Sequence, residues 1–154
     1  MKQLAVGPSS PYLVVGTQRY TVVGAAMALL SASPVYASVP ASALLKYVAT
    51  AVGFDQLRVV FDAQGGLVGV VVWALVRRET LERVIDERLE PMAFHPALWR
   101  DGLELIVLDA FVSPGKRKML HTAVKQDIFP GRDQISWVNR RRWRSATLCL
   151  SSTR

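Results

Sequence analysis

Asp109 stands inside the apolar stretch of Leu103–Val112 (LELIVLDAFV). Burying a carboxylate costs free energy unless it is paired, hydrogen-bonded or at a strand end. The break Ser113-Pro114-Gly115 follows at once, so Asp109 falls near the carboxyl end of a central strand. Open α/β sheets place their ligands there, and a carboxylate so placed can accept or donate a proton. An Asp in this position equally ties down a neighbouring backbone or pairs with an arginine. Spacing alone leaves both readings open.

A second cluster is Gly115-Lys116-Arg117-Lys118. Glycine at the entrance of a helix exposes backbone N–H groups, and three cations there suit an anion or pyrophosphate. The cations oppose the helix dipole, which argues for a compensating ligand. The alternative is a solvated basic turn. Neither a Walker loop nor GxGxxG is present. A third cluster is Arg140-Arg141-Arg142-Trp143-Arg144. Arginines beside an aromatic suit phosphate or single-stranded nucleic acid, or form a solvated strand end. One cysteine, Cys149, excludes a disulfide framework and every multi-cysteine zinc site. With only His95 and His121, no metal site is expected. Neither histidine has a Ser, Cys or Asp signature around it, and Cys149 sits in an apolar run.

The elements that must position these residues follow from periodicity. Residues 1–18 are rich in Gly, Pro and Ser and read as a loose N-terminal arm. Thr21–Leu30 reads as a short apolar helix, Ser31–Pro40 as a loop and Ser42–Val52 as a helix with Leu44, Leu45 and Val48 on one face. Gln56–Phe61 and Leu67–Val76 read as a hairpin across Asp62-Ala-Gln-Gly-Gly, the second strand apolar on both faces and so central. Glu79–Leu89 is an amphipathic helix with Leu81, Val84, Ile85 and Leu89 inward. A loop with His95 and Trp99 leads to the strand Leu103–Val112. Lys116–Phe129 reads as a helix, and Gln134–Val138 and Ala146–Leu150 as strands before a short tail, 151–154. The result is a single α/β domain over 19–150, a mixed central sheet flanked by helices.

The chain has 154 residues, of which 51% are apolar and 20% charged, enough for one domain with a core. Its net charge of +7 is uneven. Residues 1–50 carry +3 and residues 51–112 carry −4. Residues 113–154 hold ten basic residues against Asp127 and Asp133, or +8. That points to one acidic partner surface. Residues 21–45 are uncharged and superficially resemble a secretory leader after Arg19. The apolar core is thin, and Pro34, Pro40 and the serines interrupt it, so no stable membrane insertion is expected.

The order of elements, with Ser33-Pro34, Trp73, Trp99 and Asp109, resembles the RTX toxin-activating lysine acyltransferases. The similarity covers about residues 20–142. Ser31-Ala-Ser-Pro-Val-Tyr36 is similar to that family's Ser-Pro-Leu-His segment after its first helix. Gly69…Trp73-Ala74 is similar to its Ser-Trp-Ala strand. The run from Trp99 through Asp109 to Ser113-Pro-Gly resembles its Trp…Asp-Trp-Ile-Ala-Pro-Phe-Gly run, and Phe129-Pro130 follows as expected.

The resemblance implies a GNAT-like fold and a cytoplasmic enzyme. It implies transfer of a fatty acyl group from acyl–acyl carrier protein, or alternatively acyl-CoA, to a lysine of a protoxin or precursor peptide. The family's catalytic Asp carries over to Asp109 and its Ser to Ser33; its His is Tyr36 here, and the arginine after it is Ala37. Tyr36 would protonate the leaving thiolate, and Asp109 would orient or deprotonate the amine. Gly115, Lys116, Arg117, Lys118, Arg140 and Arg141 would face the acidic donor. The family tends to homodimers. Alternatives are a catalytically inactive binding partner and, from the basic charge alone, a nucleic-acid-binding protein. No helix-turn-helix, zinc-finger or RNA-binding signature supports the last.

Overall fold

A computed structural model describes residues 12–15, 19–132, 134–139 and 144–149. The chain forms β1 (Tyr12–Val15), α1 (Arg19–Ser31), α2 (Ala41–Gly53), β2 (Leu57–Asp62) and β3 (Leu67–Val76). It continues with α3 (Arg78–Asp86), β4 (Glu104–Val112), α4 (Arg117–Ala123), β5 (Gln134–Asn139) and β6 (Arg144–Cys149). The six strands lie side by side in chain order. All neighbours are antiparallel except β4 and β5, which are parallel. The sheet is covered on both faces, which is the mixed, helix-flanked, GNAT-like architecture expected from the sequence.

One face carries α1 and α2. Helix α1 buries Val22, Ala26 and Leu30, one residue per turn, and α2 buries Leu44, Tyr47, Val48 and Ala51. They close over Val59, Val70, Val72, Ala74, Ile106 and Leu108. The opposite face carries α4, whose Leu120 and Ala123 pack with Phe129 on Val60, Val68, Val71, Trp73 and Val107. Strand β3 serves both cores, which is why its sequence is apolar throughout.

Four expectations are corrected. Residues 12–15, assigned to a loose arm, form a strand whose Tyr12–Val15 pairs with Val59–Asp62. The apolar YLVV run covers the otherwise open edge of β2, satisfying its backbone groups. On α2, Leu45 is exposed and Tyr47 takes the buried position, because the inward stripe follows 44, 47, 48 and 51. On α3, which ends at Asp86, the fully inward residues are Thr80 and Val84, with Leu81 and Ile85 half-buried, and Leu89 is half-buried beyond the helix. The helix after Gly115 is also shorter than its pattern. It ends at Ala123 in a wider turn, Val124–Ile128, closed by the Phe129 N–H on the Val124 carbonyl.

Glycine is called for by a close approach at Gly102 and by a positive φ at Gly115. A Cβ on Gly102 would lie 2.2 Å from the Val76 carbonyl oxygen, where the chain crosses the end of β3. Gly115 has φ +76°, the left-handed turn that lets the Ser113 carbonyl accept from the Lys116 N–H. Among the described residues, no helix is long and apolar enough to cross a membrane.

Candidate active site

Strand β4 has a bulge. Val72 faces Asp109 but Trp73 faces Val107, so Leu108 is an extra residue. Side chains alternate along a strand, and an inserted residue reverses the alternation beyond it. Before the bulge, Ile106 and Leu108 point to the α1/α2 face, while Leu105 and Val107 point to the α4 face. After it, Asp109 and Phe111 point to the α1/α2 face, and Ala110 and Val112 line a cleft on the α4 side. Without the extra residue, Asp109 would share the face of Leu105 and Val107. The bulge therefore aims the carboxylate.

Two tyrosines meet it there. The Tyr36 hydroxyl donates to Asp109 Oδ2 at 2.7 Å, and the Tyr47 hydroxyl donates to the same oxygen at 2.5 Å. All three side chains are buried. Tyr36 is held by consecutive turns after α1: its N–H donates to the Ser33 carbonyl and its carbonyl accepts from the Val39 N–H. Its ring also packs on Phe111, with centroids 5.6 Å apart. Ser33 supports the same corner, its Oγ accepting from the Val35 N–H at 3.3 Å. Two hydroxyl donors relieve much of the cost of burying the carboxylate.

Tyr47 comes from α2 and was not singled out from the sequence. Its signal was available: a tyrosine one turn after Leu44 on a buried helix face needs a partner for its hydroxyl. Its ring lies 5.7 Å from that of Trp99, which also touches Phe54 and Phe94. Gln56 anchors this aromatic group by donating to the Trp99 carbonyl at 2.8 Å.

The parallel pairing of β4 with β5 is registered only at Ile106–Ser136 and Val107–Trp137. Beyond Val107, the described residues show no β5 partner for β4. The strands part at the level of Asp109. A cleft of about 180 Å³ lies on the α4 side of this opening. Its wall is mainly apolar, with Val71, Val107, Ala110 and Ile135, and Arg117 and His121 join it from α4.

The basic cluster is divided. Lys116 is engaged by Asp62 Oδ2 at 2.5 Å, tying the β2–β3 turn to the start of α4. The Lys116 ammonium holds the Asp62 carboxyl below its usual range, helped by the Gly66 N–H. Arg117 and Lys118 are exposed, Arg117 at the lip of the cleft. Gly115 shapes the turn before them. Arg140 and Arg141 lie outside the described residues. His95, exposed, caps a short 3-10 turn, its Nδ1 accepting from the Ala97 N–H. No group of three or more His, Cys, Asp or Glu residues that could hold a metal occurs among the described residues.

A mixed sheet with one parallel pair, covered by helices on both faces, is consistent with a GNAT-like domain. The match to a family model is more specific. Residues 15–149 match that of the RTX toxin acyltransferase family (HlyC), so the chain belongs to this family. The matched range spans both the Tyr36–Asp109 pair and the cleft. No curated protein sequence matches the chain significantly.

Proposed function

We propose that this protein moves a fatty acyl group from acyl carrier protein to a lysine side chain of an RTX protoxin or precursor peptide. The observation that carries this reading is the buried Tyr36–Asp109 hydrogen bond, 2.7 Å long, just beyond the last registered β4–β5 pair. A thioester donor enters where β4 and β5 part. Its acyl and pantetheine portions cover the apolar wall of the cleft, beyond the last registered β4–β5 pair. Carrier protein is favoured over CoA as the donor by the +8 on residues 113–154. Such a field steers an acidic partner. Exposed Arg117 and Lys118 are the described part of that surface, and Arg140 and Arg141 would extend it.

The step balances with the groups present. The uncharged amine attacks the thioester carbonyl, forming C–N, and the C–S bond breaks. Asp109 takes the proton released by nitrogen, and Tyr36 gives its hydroxyl proton to the leaving sulfur. The proton on Asp109 returns to the Tyr36 oxygen along their shared hydrogen bond, restoring both groups. Ser33 acts by holding the Tyr36 corner. The reading places the enzyme in the cytoplasm, with its carrier, as a homodimer.

Intact-mass analysis of an acceptor co-expressed with this protein tests the reading. Acylation by the wild type and a loss of about 100-fold or more in Asp109→Asn are expected, the usual scale for a positioned acid or base. Tyr36→Phe should lower transfer by at least about tenfold while the fold is retained. No acylation by the wild type would instead favour the inactive binding partner, the reading that a tyrosine in the family's histidine position supports.

A further inference from the structure

A second cavity, of about 400 Å³, lies on the α1/α2 face, across the sheet from the cleft beside α4. Helix α2 forms one wall with Ala43, Lys46, Tyr47 and Thr50, the spacing of a single helix face. Residues 92–99 form the other, with Phe94, His95 and Trp99. Burial divides this lining into a floor and a mouth. Tyr47, Phe94 and Trp99 are buried, and their rings make the floor. Lys46 and His95 are exposed and stand at the mouth, one from each wall.

The mouth holds a positive charge and a hydrogen-bond donor that nothing nearby answers. Lys46 enters no ion pair among the described residues, and no Asp or Glu is among the residues lining the cavity. The His95 Nδ1 accepts from the Ala97 N–H at 3.2 Å, so the neutral ring carries its proton on Nε2. That N–H has no acceptor among the described residues. The Thr50 hydroxyl already donates to the Lys46 carbonyl at 2.8 Å.

We propose that this cavity binds an organic monoanion, a carboxylate on an apolar body. Lys46 and His95 take the carboxylate, and the aromatic floor takes the body. A cationic ligand would meet Lys46 with no acid to offset it. A bare inorganic anion would leave the floor uncovered. One fixed cation matches one negative charge. An apolar wall with a few polar groups that fix orientation is the common make-up of a small-molecule site. The ligand does not react and needs no passage through the sheet. Its link to the acid is Tyr47, whose ring is part of the floor and whose hydroxyl donates to Asp109 Oδ2 at 2.5 Å. A body seated on that ring is one hydrogen bond from Asp109, so occupancy of the cavity is sensed there.

The test follows amide chemical shifts of the full chain with phenylbutyrate as probe, and it needs no turnover, so its outcome is separate from that of the acyl-transfer reading. Phenylbutyrate should move Ala43, Lys46, Thr50 and His95, and Asp109 with them. Phenylbutylamine should bind at least about tenfold more weakly, and acetate, which lacks the body, should leave these signals in place. Lys46→Gln should weaken phenylbutyrate about three- to tenfold, and Lys46→Arg should restore it. Ala43→Phe or, as an independent plug, Thr50→Trp should abolish the shifts. Tyr47→Phe keeps the ring and removes the hydroxyl, so the wall signals should still respond while the Asp109 response is lost. The proposal is overturned if the amine binds as well as the carboxylate, if Lys46→Gln or both plugs bind phenylbutyrate like the wild type, if Asp109 stays silent in the wild type, or if the probe moves only Ala110, Arg117 and His121 in the other cleft.

Discussion

The two faces of the sheet are built from the same kind of strand residue, yet they differ in what they do with polarity. The α1/α2 face buries a carboxylate and supplies it with two tyrosine hydroxyls. The α4 face keeps its buried surface mainly apolar and leaves Arg117 and His121 at the lip. The first arrangement is costly unless every partner is in place, and it gives a fixed proton site. The second tolerates an apolar ligand of variable length and meets its charged end in solvent. The proposed transfer draws on both, an apolar cleft for the donor and a buried acid for the proton. Alternation along β4 sends Asp109 and Ala110 to opposite faces, and the bulge at Leu108 decides that the acid takes the α1/α2 face.

The comparison can be broken from either side. Its donor side is tested most severely by Ala110→Trp, which fills the cleft without touching the carboxylate. A donor KM at least tenfold higher with the acceptor KM unchanged is expected in steady-state kinetics. Equal effects on both substrates would erase the distinction between the faces. A smaller effect is expected at the lip. Arg117→Glu with Lys118→Glu should lower kcat/KM for acyl carrier protein about three- to tenfold at low ionic strength, and the deficit should shrink at 0.5 M salt, where exposed charges are screened. Lys116 is left out of this pair because its ammonium serves the fold through Asp62.

The smallest effect concerns that ion pair. The folded carboxyl of Asp62 titrates below its ordinary range, chiefly because of Lys116. A depressed folded pKa adds stability above the unfolded carboxylate pKa of about 3.9, and that stability is lost as pH falls through the folded value. Denaturant melts between pH 6 and 2.5 should show a shallower acid decline in Asp62→Asn than in the wild type. The difference should be small, since the pair is partly solvated.

Much of the architecture was legible in the chain because most elements satisfy a local rule. The apolar run Leu67–Val76 and the turn Asp62–Gly66 announce a hairpin with a central strand. An Asp among Ile106, Val107, Leu108 and Phe111 announces a buried polar group that needs partners. Tyr36 stood out only through the resemblance of Ser33-Pro34-Val35-Tyr36 to a known segment, since nothing local distinguishes it. Tyr47 escaped notice because its helix pattern is satisfied equally well by a core aromatic. Strand β1 escaped because four residues between Gly- and Pro-rich stretches are too few to show a period; the open edge of β2 recruits them.

The sequence by itself determined the order of elements from the first helix onward, the isolated acid and the concentration of basic charge after residue 112, because these depend on composition and on periods of two and 3.6. The tertiary structure alone decided which way that acid points and what meets it. An extra residue in a strand that is apolar on both faces leaves no mark on the pattern. The partners of Asp109 lie 73 and 62 residues away, joined to it only when α1, α2 and β4 close on one another.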